Sequence, residues 1–291
     1  MSAATHNVKK IAVIGAGQMG GGIAQIAATS GFDTVVFDLS ADQLNKCEAL
    51  HAKLFARAIE KGKMSEADVA AAKGHLTYAP GTDAIAGADI AIEAVTENAE
   101  TKKKIFADLD KQFADSPDTI LATNTSSISI TSIGAATANP ARVIGMHFFY
   151  PVPVMKLVEV INGLATDPGV TARVLALSAA MGKVAVPAND RAGFVSNRIL
   201  MPMINEAFYT WMEGVAEPAD IDEIMKLGMA HPMGPLRLAD FIGLDTCAHI
   251  MNVMADGLHN ERYRPCPLLD QLVTAGRLGN KSGRGVFDYS G

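Results

Sequence analysis

The chain has 291 residues, 49% of them hydrophobic and 19% charged, and carries a net charge of −6 at pH 7. That is enough material for a sizeable core and, at about 100–200 residues per domain, for two domains. The acidic balance argues against a nucleic-acid binder, and no apolar run approaches the roughly 20 residues that a membrane-spanning helix needs.

In chain order, "MSAATHNVKK" lacks the apolar centre of a signal peptide. "KIAVIG" (10–15) predicts a short strand, "QMGGGIAQIAATSG" (18–31) a helix ending at Gly31, and "DTVVFD" (33–38) a second strand. Helices follow over about 41–61 and near 65–73, then a third strand in "ADIAIEAV" (88–95). "NAETKKKIFADLDKQF" is helical, with the lysines at 102–104 on one solvated face. "TILATNTS" (119–126) and "RVIGMHFF" (142–149) are further strands, and "VMKLVEVI" returns as another. Strands alternating with helices predict an α/β fold with a largely parallel sheet.

Beyond Asn189–Phe194 the apolar spacing is helical throughout. The expected organisation is therefore a Rossmann-type domain over 1–190 and an all-helical domain over 191–291. The second is rich in large apolar residues, including Met201, Met203, Phe208, Trp211, Met225, Met229, Phe241 and Met251. About 100 residues make a marginal core for so much apolar surface, so part of it is expected to be buried in a homodimer. Cys47, Cys247 and Cys266 have neither disulfide nor metal-ligand spacing, which fits a reducing cytoplasm and no metal.

"GAGQMG" (15–20) joins the first strand to the first helix. The motif needs that context to mean anything. Gly15 allows the tight turn, Gly17 lets the backbone approach a pyrophosphate, and Gly20 allows helix to pack closely on strand. Gln18 and Met19 lie in the same turn, whose helix N-terminus attracts an anion. Gly21 and Gly22 would weaken an ordinary helix, and so predict very close packing. Asp38, at the end of the second strand, suits the ribose hydroxyls and repels a 2′-phosphate, so NAD is favoured over NADP.

In "GMHFFYPVPVMKLVEV" (145–160), His147 and Glu159 stand in otherwise apolar sequence. An unpaired buried carboxylate is strongly disfavoured. Alone, His147 reads as a satisfied core histidine. After a dinucleotide-binding fold, with Glu159 on the returning strand, the catalytic reading takes over: a general base and the carboxylate that orients it. Ser126 lies just past a strand end at the same sheet edge, where ligands of open α/β sheets bind.

These blocks, together with "IEAVTEN", "TNTSSISIT", "GFVSNRIL", "MKLGMAHPMGPLRLADFIGLD" and "NKSGRGVFDY", resemble the L-3-hydroxyacyl-CoA dehydrogenases over essentially the whole chain. The resemblance is greatest to the bacterial single-function 3-hydroxybutyryl-CoA dehydrogenases. It implies His147 as base, Glu159 as its partner, and Ser126 and Asn197 as further active-site residues, with an acyl-CoA substrate and NAD. It also implies that Glu97, Lys102 and Lys281 approach the cofactor. Without it, Ser126 reads as a turn residue, Asn197 as a helix cap and Lys102 as a solvated lysine. Lys53, Arg57 and Lys61, cations on the helix after Asp38, are candidates for the CoA phosphates. Two positions depart from the family. Tyr150 replaces the usual asparagine beside the cofactor, and Ala192 replaces the usual proline between domains. The competing readings are an NAD-dependent sugar-acid dehydrogenase of the gulonate type and a non-catalytic NAD-binding protein.

Overall fold

The computed structural model describes residues 5–290 and divides into two compact units between Asp190 and Arg191. The first is built on one eight-stranded sheet of order β3-β2-β1-β4-β5-β6-β7-β8. The strands are β1 (Lys10–Ile14), β2 (Asp33–Phe37), β3 (Leu76–Ala79), β4 (Ile90–Glu93), β5 (Ile120–Thr123), β6 (Val143–Phe148), β7 (Leu157–Asn162) and β8 (Val184–Asn189). All neighbours run parallel except β6 and β7. Strands β4, β5 and β6 are buried along their whole length, as covering both faces of a parallel sheet with helices requires. Those helices are α1 (Gln18–Thr29), α2 (Ala41–Glu60), α3 (Glu66–Gly74), α4 (Ala99–Gln112), the short α5 (Ile130–Gly134) and α6 (Pro168–Ala180).

Local chemistry fixes where the helices start. Ser40 accepts from the Gln43 amide at the head of α2. Ser65 and Asp68 form a reciprocal capping box on α3, and Asn98 accepts from Thr101 at the head of α4. Each satisfies an N–H that the first helical turn leaves without an intrahelical partner.

Two strands were not anticipated from the pattern, and both are sheet edges. β3 is only four residues long and partly exposed, so it carries little apolar signal. β8 contains Pro187 and exposes four of its six residues. A proline is tolerated at an edge because one side of the strand needs no ladder donor.

The second unit comprises α7 (Ser196–Met212), α8 (Pro218–Met229), α9 (Pro235–Ile242), α10 (Leu244–Leu258) and α11 (Pro267–Thr274). Its core gathers Met201, Ile204, Phe208, Leu236, Leu244 and Met251. Two buried carboxylates organise it. Asp222 accepts the Leu236 and Arg237 amides at the head of α9, and Asp240 accepts those of Val286 and Phe287. Of the apolar residues expected to seek cover, Met201, Phe208 and Met251 are in this core, whereas Met229 and Phe241 remain exposed.

Candidate active site

The turn between β1 and α1 is shaped by its glycines. Gly15 adopts φ +108°, and a Cβ there would meet the Ala94 carbonyl. A Cβ on Gly20 would fall on the Gly15 carbonyl oxygen, so helix and strand meet backbone to backbone. Gly17 has nothing within 4 Å of where its Cβ would be, leaving open space over the first turn of α1. No side chain caps that turn and no acidic residue lies in it. Gln18 and Met19 begin the helix there, so its first amides and positive dipole end suit a pyrophosphate.

The next two glycines meet other elements. A Cβ on Gly21 would come within 3.1 Å of Cys47 Sγ, and one on Gly22 within 2.8 Å of Val152 Cβ. His51 of α2, buried, lies 2.8 Å through Nε2 from the Gly21 carbonyl and 2.6 Å through Nδ1 from the Tyr78 hydroxyl. A carbonyl only accepts, so Nε2 carries the proton and Tyr78 donates to Nδ1. Burial holds the His51 imidazole below its ordinary value, although the Gly21 carbonyl works the other way.

Asp38 follows β2. One carboxylate oxygen accepts the Ala16 amide at 2.9 Å and the other the Ser40 amide at 2.9 Å. The carboxylate is thus fixed against the glycine turn, and its remaining lone pairs can accept ribose hydroxyls. Open space at Gly17, an uncapped helix start and an anchored Asp38 together fit an NAD molecule.

At the ends of β4 and β5 a buried ionic group appears where the sequence suggested a solvated lysine. Lys102 is 1% exposed, and its ammonium lies 2.6 Å from Glu93 and 3.5 Å from Glu97. Helical phase turns Lys102 inward while Lys104 stays exposed, so a run of three lysines covers more than one face. Glu93 was not anticipated. It reads as one more residue of an apolar strand, yet its second oxygen accepts the Thr123 hydroxyl and its first the Val95 amide.

Glu97 faces the other way and gathers the turn that carries Ser126. One of its oxygens accepts the Thr125 hydroxyl, the Ser126 amide at 2.8 Å and hydroxyl at 3.1 Å, and the Ser127 amide at 3.2 Å and hydroxyl at 3.1 Å. Burial works to raise its carboxyl, but the Lys102 ammonium and the Thr125 and Ser126 hydrogen bonds prevail and hold it below the usual range. Asn124, one residue before Thr125, accepts the Phe148 amide at 2.9 Å. That bond ties the Ser126 turn to the end of β6.

β6 and β7 form an antiparallel pair in which His147 stands opposite Glu159. Nδ1 of His147 lies 2.8 Å from a Glu159 oxygen, and both residues are buried. An ionised carboxylate accepts, so His147 donates Nδ1–H and keeps the lone pair on Nε2. Phe149 packs against the imidazole at 4.5 Å between ring centroids. Tyr150 follows and is 48% exposed.

Lys53, Arg57 and Lys61 line the exposed side of α2 and its C-cap, one turn apart. In the helical unit, Asn197 lies in the first turn of α7, and Lys281 pairs with Asp245 at 2.8 Å. No cluster of metal-ligating side chains occurs among the described residues. None of the helices described is long and apolar enough to cross a membrane. The three cysteines are free and buried.

Comparison with known proteins finds matches over nearly the whole chain. Residues 10–191 match the NAD-binding domain of the 3-hydroxyacyl-CoA dehydrogenases, and residues 193–289 match their C-terminal domain. A probable 3-hydroxybutyryl-CoA dehydrogenase of Bacillus subtilis is 54% identical, over 97% of this chain and 98% of its own. The 3-hydroxybutyryl-CoA dehydrogenase of Bradyrhizobium diazoefficiens is 49% identical, over 98% of this chain and 96% of its own. Among solved structures, an (S)-3-hydroxybutyryl-CoA dehydrogenase from Ralstonia eutropha superposes with a TM-score of 0.93. It is 46% identical and spans 98% of this chain and all of its own.

Proposed function

This chain belongs to the 3-hydroxyacyl-CoA dehydrogenase family, and from that premise we propose that it interconverts (S)-3-hydroxybutyryl-CoA and acetoacetyl-CoA. The observation that carries the reading is the His147–Glu159 pair, 2.8 Å apart at the carboxyl end of β6, in the same domain as the nucleotide turn. Removing hydrogen from a secondary alcohol means moving a hydride from C3 and a proton from the hydroxyl. Bound NAD supplies the hydride acceptor.

His147 does the rest of the chemistry. Its Nε2 lone pair takes the hydroxyl proton, and Glu159 fixes the tautomer and stabilises the imidazolium that results. In the reverse direction the same nitrogen returns the proton to the forming alkoxide. Ser126, held in its turn by Glu97, hydrogen-bonds the 3-oxygen or the nicotinamide amide. Asn197 holds the thioester carbonyl. Gly15, Gly17, Gln18, Met19 and Gly20 cradle the pyrophosphate, Asp38 takes the adenosine ribose, Tyr150 borders the nicotinamide end, and Lys281 approaches the cofactor. Glu97 contacts the cofactor from the Ser126 turn with Lys102 behind it. Lys53, Arg57 and Lys61 meet the CoA phosphates. The enzyme acts in the cytoplasm as a homodimer, with the exposed apolar side chains of the helical unit at the interface.

The test is NADH consumption with acetoacetyl-CoA, followed by absorbance, for the native protein and for His147→Ala. The expected result is rapid native turnover and a variant slowed by at least about 10²-fold, the scale of a general base. Native NADH binding without turnover, or turnover of a free sugar acid instead, would overturn the reading.

A further inference from the structure

The two strands that carry His147 and Glu159 are joined by a turn over residues 151–155, in which the Val154 and Met155 amides both donate to the Pro151 carbonyl at 2.9 and 3.0 Å. That pattern leaves the Val152 and Met155 carbonyls without a partner inside the turn. Lys183 supplies it. This side chain, 8% exposed, reaches from the loop between α6 and β8, and its ammonium donates to the Val152 carbonyl and to the Met155 carbonyl at 2.8 Å. Its own backbone is anchored, because the Lys183 amide caps α6 on the Ser178 carbonyl at 2.9 Å.

A buried ammonium is costly. Burial also pushes the Lys183 amine below its ordinary value. Nothing in the fold of α6 or β8 requires a cation there, whereas the turn requires two donors from one point. On the opposite side the same turn rests on the nucleotide helix. Val152, 1% exposed, occupies the space left by Gly22, where a Cβ would come within 2.8 Å of Val152 Cβ. The hairpin is therefore held from both sides, by Lys183 and by α1.

We propose that Lys183 is a positioning residue for proton transfer: it closes the 151–155 turn, and thereby holds His147 opposite Glu159 and keeps the hairpin seated on the nucleotide helix. The kinetic part of this proposal rests on the dehydrogenase reading. The structural part does not, since it concerns the His147–Glu159 hydrogen bond itself.

Lys183→Met keeps an unbranched side chain only one atom shorter and removes its donors. Two readouts decide. The first is the downfield proton resonance of the His147 Nδ1–H, identified by its absence in His147→Ala. It is expected in the native protein and displaced or lost in Lys183→Met. The second is turnover of acetoacetyl-CoA with NADH. kcat should fall by at least about tenfold, the scale of a small misplacement, with KM for NADH changed by less than about twofold.

In a Glu159→Gln background the added effect of Lys183→Met should largely vanish, as it must for residues acting through one unit. Multiplicative losses would mark a structural role elsewhere and overturn the proposal. So would a folded Lys183→Met protein with the resonance and kcat unmoved. If Lys183→Met does not fold, Gly22→Ala pushes the same turn from the other side and should displace the same resonance; an unmoved signal there sinks the proposal. If native protein binds NADH but leaves acetoacetyl-CoA unreduced, the substrate reading fails alone, and the resonance still decides the role of Lys183.

Discussion

His147 and Glu159 are cross-strand partners, so their hydrogen bond is set by the register of β6 and β7. A slip of one residue would turn one of them to the opposite face of the sheet. Gly145, two residues before His147, secures that register, because a Cβ there would meet Ile161 and Ile130 side chains at 2.8 and 2.9 Å. Replacing the partner while keeping its shape isolates its charge. Glu159→Gln should lower kcat by about 10²-fold and leave the NADH dissociation constant unchanged. Steady-state kinetics with fluorescence titration of NADH checks both, and an undiminished kcat would leave Glu159 without a catalytic part.

The glycines of the nucleotide turn separate folding from binding. Gly17 faces open space, so Gly17→Ala should fold with native thermal stability. Its methyl group would stand where a pyrophosphate must approach, weakening NADH by about tenfold or more, or roughly 1.4 kcal/mol. Gly20 has no such room, since its Cβ would fall on the Gly15 carbonyl. Gly20→Ala should therefore lower the melting temperature markedly and reduce NADH binding with it. Equal stability in the two variants would contradict this division.

Much of this was legible in the sequence because parallel strands and glycine turns leave strong local signals. The GxGxxG turn, Asp38 and the His147–Glu159 pair each depend on residue type at fixed spacing, and β6 and β7 are long enough to show where both side chains go. The signals failed where meaning depends on three dimensions. Lys102 sits in a run of lysines that looks solvated, and only the helical phase of α4 against β4 makes it a buried ion-pair partner. Glu93 gives no warning in "ADIAIEAV" beyond being charged in an apolar run, the same signal that singled out Glu159. Lys183 looks like a loop lysine until the carbonyls of a turn some 30 residues earlier are seen to need donors.

Asp38 should govern the choice between NADH and NADPH. Its carboxylate is held by the Ala16 and Ser40 amides, so it cannot swing away from a 2′-phosphate. Asp38→Asn removes the repelling charge and forces an amide NH2 toward one of those N–H donors. NADH affinity should fall while NADPH is penalised less, narrowing the ratio of their kcat/KM values by about tenfold. An unchanged ratio would show that another group rejects the phosphate.

Glu97 and Lys102 make acid stability a test of the group beneath Ser126. The Glu97 carboxyl is held below its ordinary value of 4.5 in the folded protein, so between the two values the unfolded chain binds more protons. Its stabilising contribution is complete above about pH 4.5 and is lost as pH falls through the folded value. The difference in melting temperature between the native protein and Glu97→Gln should therefore shrink as pH is lowered from 6 toward 3. Lys102→Met removes the cation that opposes the effect of burial, and it strips Glu93 of its partner as well. Breaking such a buried pair costs about 3–5 kcal/mol, and the acid unfolding midpoint should move to higher pH than in the native protein. Melting curves across that range, read by circular dichroism, would show both. An acid midpoint unmoved in a folded Lys102→Met protein would mean that the Thr125 and Ser126 hydrogen bonds alone keep Glu97 ionised.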